Sequence, residues 1–135
     1  MLWKKLISSI GIDDVKVDTL ITKKEFKRGE WIEGKIKVTG GVSDKKIQNI
    51  IVTLIERYEE DKEDSDFSYH EKELSEHILS NLESIHSGEE TFFPFRMKVP
   101  EYQELTHPQA EMVLRTKLMV ENCLDPMDED VLDIV

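Results

Sequence analysis

The sequence predicts an all-β fold, an antiparallel β-sandwich, from three observations. Residues 31–39 alternate, with Ile32, Ile36 and Val38 on one side and mostly charged or polar residues on the other. This is the period of a half-buried strand, because successive side chains point to opposite faces. A second β-rich run covers residues 47–58. Seven such segments at short intervals, with turn residues between them, indicate a sandwich.

The elements are predicted in chain order from the same pattern. A short amphipathic helix is expected over residues 2–10, because its apolar residues recur at helical spacing and Gly11 follows where a helix ends. We therefore assign residues 1–12 to this helix and residues 13–135 to the sandwich. The apolar stripe either docks on the sandwich or contacts a membrane or partner. Strands are predicted at 15–21, 31–39, 47–58, 67–80, 91–99, 111–121 and 131–135.

Two of these strands carry signs of a sheet edge. In residues 91–99 the apolar face contains Phe93 and Phe95, but Pro94 cannot donate to a sheet ladder, so the strand is an edge there or carries a bulge. The segment Phe67–Ser80 is polar, as is typical of an edge that resists aggregation. Its pattern places Leu74 and Ile78 on one face. His70, Lys72 and Glu76 are expected on the same face.

Composition limits the classes of function. The 135 residues include 18 basic and 29 acidic ones, which gives a formal net charge of −11. This charge argues against nucleic acid and against broad binding to anionic membranes, and it favours a basic partner. The single cysteine, Cys123, excludes an intramolecular disulfide and fits a reducing cytosol. No apolar run approaches the ~20 residues that span a bilayer, so we expect a cytoplasmic protein.

No stretch of the sequence carries recognisable catalytic or metal-binding chemistry. The acidic run EEDKEDSD at 59–66 lacks the glycine of a calcium loop, and Lys72 stands where the twelfth-position glutamate belongs. We interpret it as a solvated hairpin tip. The four histidines show no zinc-site spacing; they are His70, His77, His86 and His107. No catalytic, cofactor or metal residue is therefore assigned.

Four segments together resemble a known family. They are WKKLISSIGI followed by VKVDTLI at the start, WIEGKIKVTGG at 31–41, HSGEETFFPFRMKVP at 86–100 and LRTKLMVENCLDPMDED at 114–130. These segments resemble the sporulation-control family of bacterial proteins (stage zero, M type), whose members resemble arrestins. The resemblance covers nearly the whole chain. It implies an arrestin-like, immunoglobulin-like antiparallel β-sandwich, here an N-terminal lobe with the second lobe of the family absent.

The resemblance also implies a regulatory, non-enzymatic role as a protein-interaction module in sporulation or developmental control. The alternative is a sandwich that binds a small ligand or a lipid. An edge strand offers a row of unpaired backbone groups, and residues 68–79 are the better candidate edge. We expect these residues to pair with a second copy, giving a homodimer, or with an extended segment of a protein partner. Membrane contact is expected, if at all, only through the N-terminal helix.

Overall fold

A computed structural model of the chain describes residues 15–61, 67–104 and 110–135, without the side chains of 59–61 and 67–69. These ranges hold eight strands and no helix. The predicted helix at 2–10 lies outside the described residues. The strands are β1 (Lys16–Ile21), β2 (Glu25–Phe26), β3 (Trp31–Thr39), β4 (Ile47–Asp61), β5 (Phe67–Ser80), β6 (Glu90–Lys98), β7 (Ala110–Val120) and β8 (Met127–Ile134).

The strands form two sheets. One has the order β1-β3-β6, and the other has the order β2-β8-β7-β4-β5. Every pairing is antiparallel except that of β2 with β8, which is parallel. The predicted all-β sandwich is confirmed. The two-residue strand β2 was not predicted, because Glu25 and Phe26 lie in a polar stretch that the sequence indicates as irregular.

The core lies between the two sheets, where the predicted alternation holds. On β3, Ile32, Ile36 and Val38 are fully buried, and on the opposing sheet the inward apolar residues of β4 and β7 are buried in the same cluster. The strand β8 begins at Met127, earlier than the predicted residue 131. Its first residues pair with β7, Met127 with Lys117 and Asp128 with Thr116, so the segment predicted as a turn belongs in part to the ladder.

Gly40, the residue after β3, lies where the chain comes very close to residues 86–89. The Gly40 N–H donates to the Glu89 carbonyl oxygen at 2.8 Å. A Cβ atom at Gly40 would lie 2.0 Å from the His86 carbonyl oxygen, so only glycine fits without moving the backbone. This contact brings the end of β3 beside the turn that leads into β6.

The structure has no helix, within the ranges it describes, with the length and hydropathy needed to cross a bilayer.

Candidate interaction surface

Among the strands that the structure describes, β5 lies at the edge of the five-stranded sheet, next to β4. It runs for 14 residues, from Phe67 to Ser80. The prediction that this segment is an edge is therefore confirmed. The strand β6 is an edge of the other sheet, as Pro94 predicted. Since Pro94 has no N–H, β5 is the edge that offers the more complete row of backbone donors.

A β-bulge changes which side chains of β5 point toward the core. Leu54 pairs with Ser75 and Ile55 pairs with Glu73, so Leu74 has no partner residue on β4. The predicted common face of Leu74 and Ile78 is wrong, because the extra residue shifts the alternation by one. Leu74 packs against the core, whereas Ile78 is 49% exposed.

Because of the bulge, the residues that were predicted to share one face of β5 lie on both sides of the sheet. His70 and Lys72 pair with Tyr58 and Glu56, which share the inward alternation of β4. Glu76 pairs with Thr53, on the outward side together with Ile78. The inward side chains beyond the bulge are instead Ser75, His77 and Leu79, each of them partly buried.

Depressions lie along the seam between β5 and β6. A groove of about 610 Å³ is lined by His77 of β5, residues 94–96 of β6, residues 33–35 of β3 and Thr22. A second depression, of about 330 Å³, lies between residues 72–74 and the loop at 100–104. A third, of about 240 Å³, lies between residues 81–85 and residues 89–93. The three depressions follow one another along the two antiparallel edge strands, and we call this feature the β5–β6 seam.

The opposite side of the sandwich is closed by polar contacts. The Thr19 N–H of β1 donates to Asp128 Oδ2 of β8 at 2.9 Å. The hydroxyl oxygens of Thr19 and Thr116 lie 2.7 Å apart. All three residues are buried, so these bonds satisfy polar groups that are costly to leave unpaired. One backbone N–H of β1, that of Thr19, is thus engaged by the other sheet.

The outer face of the five-stranded sheet carries a network of charged residues, of which Arg57, Arg115, Glu71 and Glu129 are called the charged quartet; Arg57 also lies 3.5 Å from a carboxylate oxygen of Glu111 on β7. Arg57 of β4 contacts Glu71 of β5 at 3.2 Å and Glu129 of β8 at 3.1 Å. Arg115 of β7 contacts the same two carboxylates, each at 2.6 Å. The quartet therefore ties together the four strands β5, β4, β7 and β8.

The charged quartet covers two apolar residues. Ile55 and Val113 pair across β4 and β7 on the outward side of the sheet, yet they are 1% and 0% exposed. Their pair lies between the level of Arg115 and the level of Arg57 along the strands. The arginines reach across this pair to their second carboxylates. The aliphatic stems of the arginines can thus shield apolar surface while the heads remain paired.

The pKa values of the quartet reflect this pairing. Partial burial alone would lower the pKa of Arg57 and of Arg115, but the carboxylates of Glu129 and Glu71 outweigh it and raise both. Burial alone would raise the pKa of Glu129, but hydrogen bonds from Arg115 and Arg57 hold it below the ordinary value of 4.5. Pairing therefore favours the charged forms of Arg57, Arg115 and Glu129.

The histidines that the structure describes, His70, His77 and His86, do not converge on a common site. His70 stacks on Tyr58 with ring centroids 5.2 Å apart, and His77 lines the groove of the seam. His86 Nδ1 lies 3.3 Å from a carboxylate oxygen of Asp44 at the surface. In the parts of the chain that the structure describes, no three histidine, cysteine, aspartate or glutamate side chains are grouped as metal ligands.

Two groups of possible metal ligands lie outside what the structure describes. His107 is not among the described residues, and within the acidic run at 59–66 no side chain is described. Cys123 is a partly buried cysteine that forms no disulfide within the described residues. The expected absence of catalytic, cofactor and metal residues stays a prediction.

Comparison with known proteins places the chain in a family. The family model described as SpoOM protein matches residues 3–135. The chain belongs to this family. It is 32% identical over 130 residues to the sporulation-control protein spo0M of Bacillus subtilis (strain 168), an alignment that covers 95% of this chain and 49% of the relative. The crystal structure of Spo0M from Bacillus subtilis matches with a TM-score of 0.82 and 28% identity, over 93% of this chain and 50% of that one.

These matches confirm the resemblance that the sequence motifs indicated. The chain spans about half the length of the Spo0M relatives that it matches. The fold is accordingly the arrestin-like sandwich of the SpoOM family.

The charged quartet of this SpoOM-family chain was not predicted from the sequence. Its members are separated by up to 72 residues in the chain, as for Arg57 and Glu129. Alternation places Arg57, Glu71 and Arg115 on an outward face, but Glu129 precedes the last predicted strand at 131–135. The meeting of the four side chains depends on the order of four strands, which the sequence pattern does not give.

Proposed function

We propose that the chain is a non-enzymatic, cytoplasmic protein-interaction module that acts in sporulation control. The relatives that it matches are named as sporulation-control proteins, which supports the sporulation role. In this proposal the module binds an extended segment of a regulatory protein along the free edge of β5. Such strand addition gives affinity through backbone hydrogen bonds and requires no catalytic residue.

The observation that carries the proposal is the free edge of β5 beside an open seam. The opposite edge of the three-stranded sheet, β1, is engaged by Asp128. The other outer strand of the five-stranded sheet, β2, has only two residues and is too short to template a partner. The 14-residue strand β5 is long enough for a partner strand of ordinary length.

A pair of proline substitutions tests this proposal. Glu76 and His77 are adjacent and lie on the regular part of β5 beyond the bulge, opposite Thr53 and Val52. Neighbouring N–H groups of an edge strand point alternately toward the sheet and away from it. One of Glu76→Pro and His77→Pro therefore loses a bond to β4, and the other loses only a donor on the free edge. Ser75, beside the bulge and turned inward, is a less suitable position.

The measurement compares the two variants in folding and in partner capture. Thermal melts identify the proline variant that keeps its fold, and quantitative mass spectrometry then compares the proteins that it and the wild type capture from the cytosol of sporulating cells. We expect the folded variant to lose a defined set of captured proteins. Glu76→Asp, which keeps its N–H group and its negative charge, and His77→Gln, which keeps its N–H group and a polar side chain, should retain that set. Equal capture by all folded variants would place the binding surface elsewhere.

A second candidate function is binding of a small apolar or lipid ligand, favoured by the groove of about 610 Å³ that includes Phe95 and Pro94. Native mass spectrometry of the purified protein tests it. A bound apolar molecule that is lost when His77 is replaced by Trp, a side chain large enough to fill the groove, would favour this function over strand addition.

A further inference from the structure

We propose that the segment that pairs with β5 alternates apolar and basic side chains, with the basic ones on the outer face of the sheet. This inference rests on the proposed function, because it specifies the chemistry of the strand that the edge accepts. Two independent observations support the inference. They are the charges on the outer face of the five-stranded sheet and the open space on its inner side, next to β5.

The first argument is the order of charges across the outer face. Glu129 on β8 lies opposite Arg115 on β7. Further along the same face, Glu111 on β7 lies opposite Arg57 on β4, and Arg57 lies opposite Glu71 on β5. The sheet thus runs from acidic to basic to acidic and ends on an acidic edge strand. Opposite charges on neighbouring strands are stabilising, whereas like charges directly opposite are destabilising. A further strand that continues this order has basic residues.

The second argument is that the acidic edge is only partly neutralised. Glu71 is paired with both arginines of the quartet. Glu73 and Glu76 are exposed on the same face, and within the described ranges neither makes an ion pair. Their carboxylates lie where the outward side chains of an added strand would pass. The net charge of −11 adds a long-range attraction for a basic segment.

The inner side of the β5 edge favours the apolar side chains of the proposed alternation. His77 and Leu79 point inward on β5, and His77 faces residues 94–96 across the groove of the seam. In an added strand, every second side chain would enter this space. Phe95 and Pro94 give the groove apolar walls. Burial of an apolar side chain there is favourable, whereas a charged side chain would lose hydration.

A second copy of the chain fits this edge less well. If two β5 strands pair in antiparallel fashion, each brings Glu71, Glu73 and Glu76 to the same face, because these residues share one side of the strand. Both sets would then repel one another across the new ladder. The observations therefore favour a basic segment of a different protein.

Synthetic decapeptides test the inference directly. Fluorescence anisotropy measures the binding of peptides that alternate valine with lysine, valine with glutamate and valine with serine to the full chain. We expect the valine–lysine peptide to bind about tenfold more tightly than the valine–serine peptide, and the valine–glutamate peptide to bind most weakly. Replacing both Glu73 and Glu76 by Lys should reverse the order of the two charged peptides. The control Glu25→Lys with Asp133→Lys makes the same change of net charge at the far edge of the sheet and should leave that order unchanged.

Each other outcome contradicts a specific part of the account. Equal binding of the three peptides at the β5 edge would overturn the basic specificity but retain strand addition. A control variant that weakens the valine–lysine peptide as much as the β5 variant does would show non-specific attraction and overturn the inference. If no peptide binds, strand addition itself fails. A further outcome is that analytical ultracentrifugation gives a dimer for the wild type and a monomer for the folded proline variant. That result would show that a second copy of the chain binds the β5 edge, and it would also overturn the inference.

Discussion

Replacement of Phe95 by alanine tests the interior of the sandwich most severely. Phe95 lies on β6, is 4% exposed and belongs to the core cluster. It packs tightly against β3, since a Cβ atom at Gly34 would lie 3.0 Å from its ring. Loss of the ring removes transfer energy and leaves a cavity between two strands, which costs about 3–5 kcal/mol of the free energy of unfolding. For a domain of this size we expect the Tm to fall by about 10–20 °C.

The matched control is Phe92→Ala on the same strand. Phe92 points to the opposite side of the sheet and is 48% exposed, so the same deletion there should cost about 1 kcal/mol. Urea unfolding followed by circular dichroism measures both values under the same conditions. Equal costs for Phe95→Ala and Phe92→Ala would refute the assigned alternation of β6, or would show that another segment covers Phe92.

Three further substitutions test particular contacts. Gly40→Ala should destabilise the fold by more than 1 kcal/mol in urea unfolding, because its Cβ would meet the His86 carbonyl oxygen; an unchanged midpoint would contradict the close approach. Asp128→Ala should lower the free energy of unfolding by about 1–3 kcal/mol and Asp128→Asn by clearly less, since asparagine still accepts from the Thr19 N–H. Equal losses in the two variants would show that this hydrogen bond does not account for the stabilisation by Asp128. Glu129→Gln should cost about 1–2 kcal/mol at pH 7. Because the folded pKa of Glu129 is lowered, its stabilisation is present above pH 4.5 and is lost as the pH falls through the folded value, so the variant and the wild type should converge in acid. A difference that is independent of pH would contradict the pairing.

The strands could be predicted from the sequence because their signal is local. In β3 the side chains of Ile32, Ile36 and Val38 alternate with charged ones, and the structure gives this strand the predicted bounds, Trp31–Thr39. Pro94 and the polar pattern of Phe67–Ser80 were enough to identify β6 and β5 as edge strands, because an edge tolerates a missing donor and inward polar groups.

The bulge on β5 could not be predicted in the same way. An extra residue at Leu74 leaves the composition of the strand unchanged but moves Ile78 to the outer face. Its position is set by the pairing of β5 with β4, which the strand's own sequence does not specify. The error affected the candidate site, since it concealed that Glu71, Glu73 and Glu76 share one side.

The polar contacts between strands also depend on non-local geometry. Thr19 and Asp128 are 109 residues apart, and their bond requires that β1 lies beside β8. The parallel pairing of β2 with β8 involves only two residues and has no periodicity to detect. These features follow from the arrangement of the sheets, so they become visible only once the strand order is known.

Hydrogen–deuterium exchange of the full chain, with and without the valine–lysine decapeptide, is the most direct test of the central claim that β5 accepts a partner strand. The peptide should slow exchange of alternate amides in residues 68–79, the ones that point away from β4, and leave the amides of β6 and β2 unchanged. Slowed exchange on β6 or β2 instead, or unchanged exchange on β5 at saturating peptide, would contradict the claim.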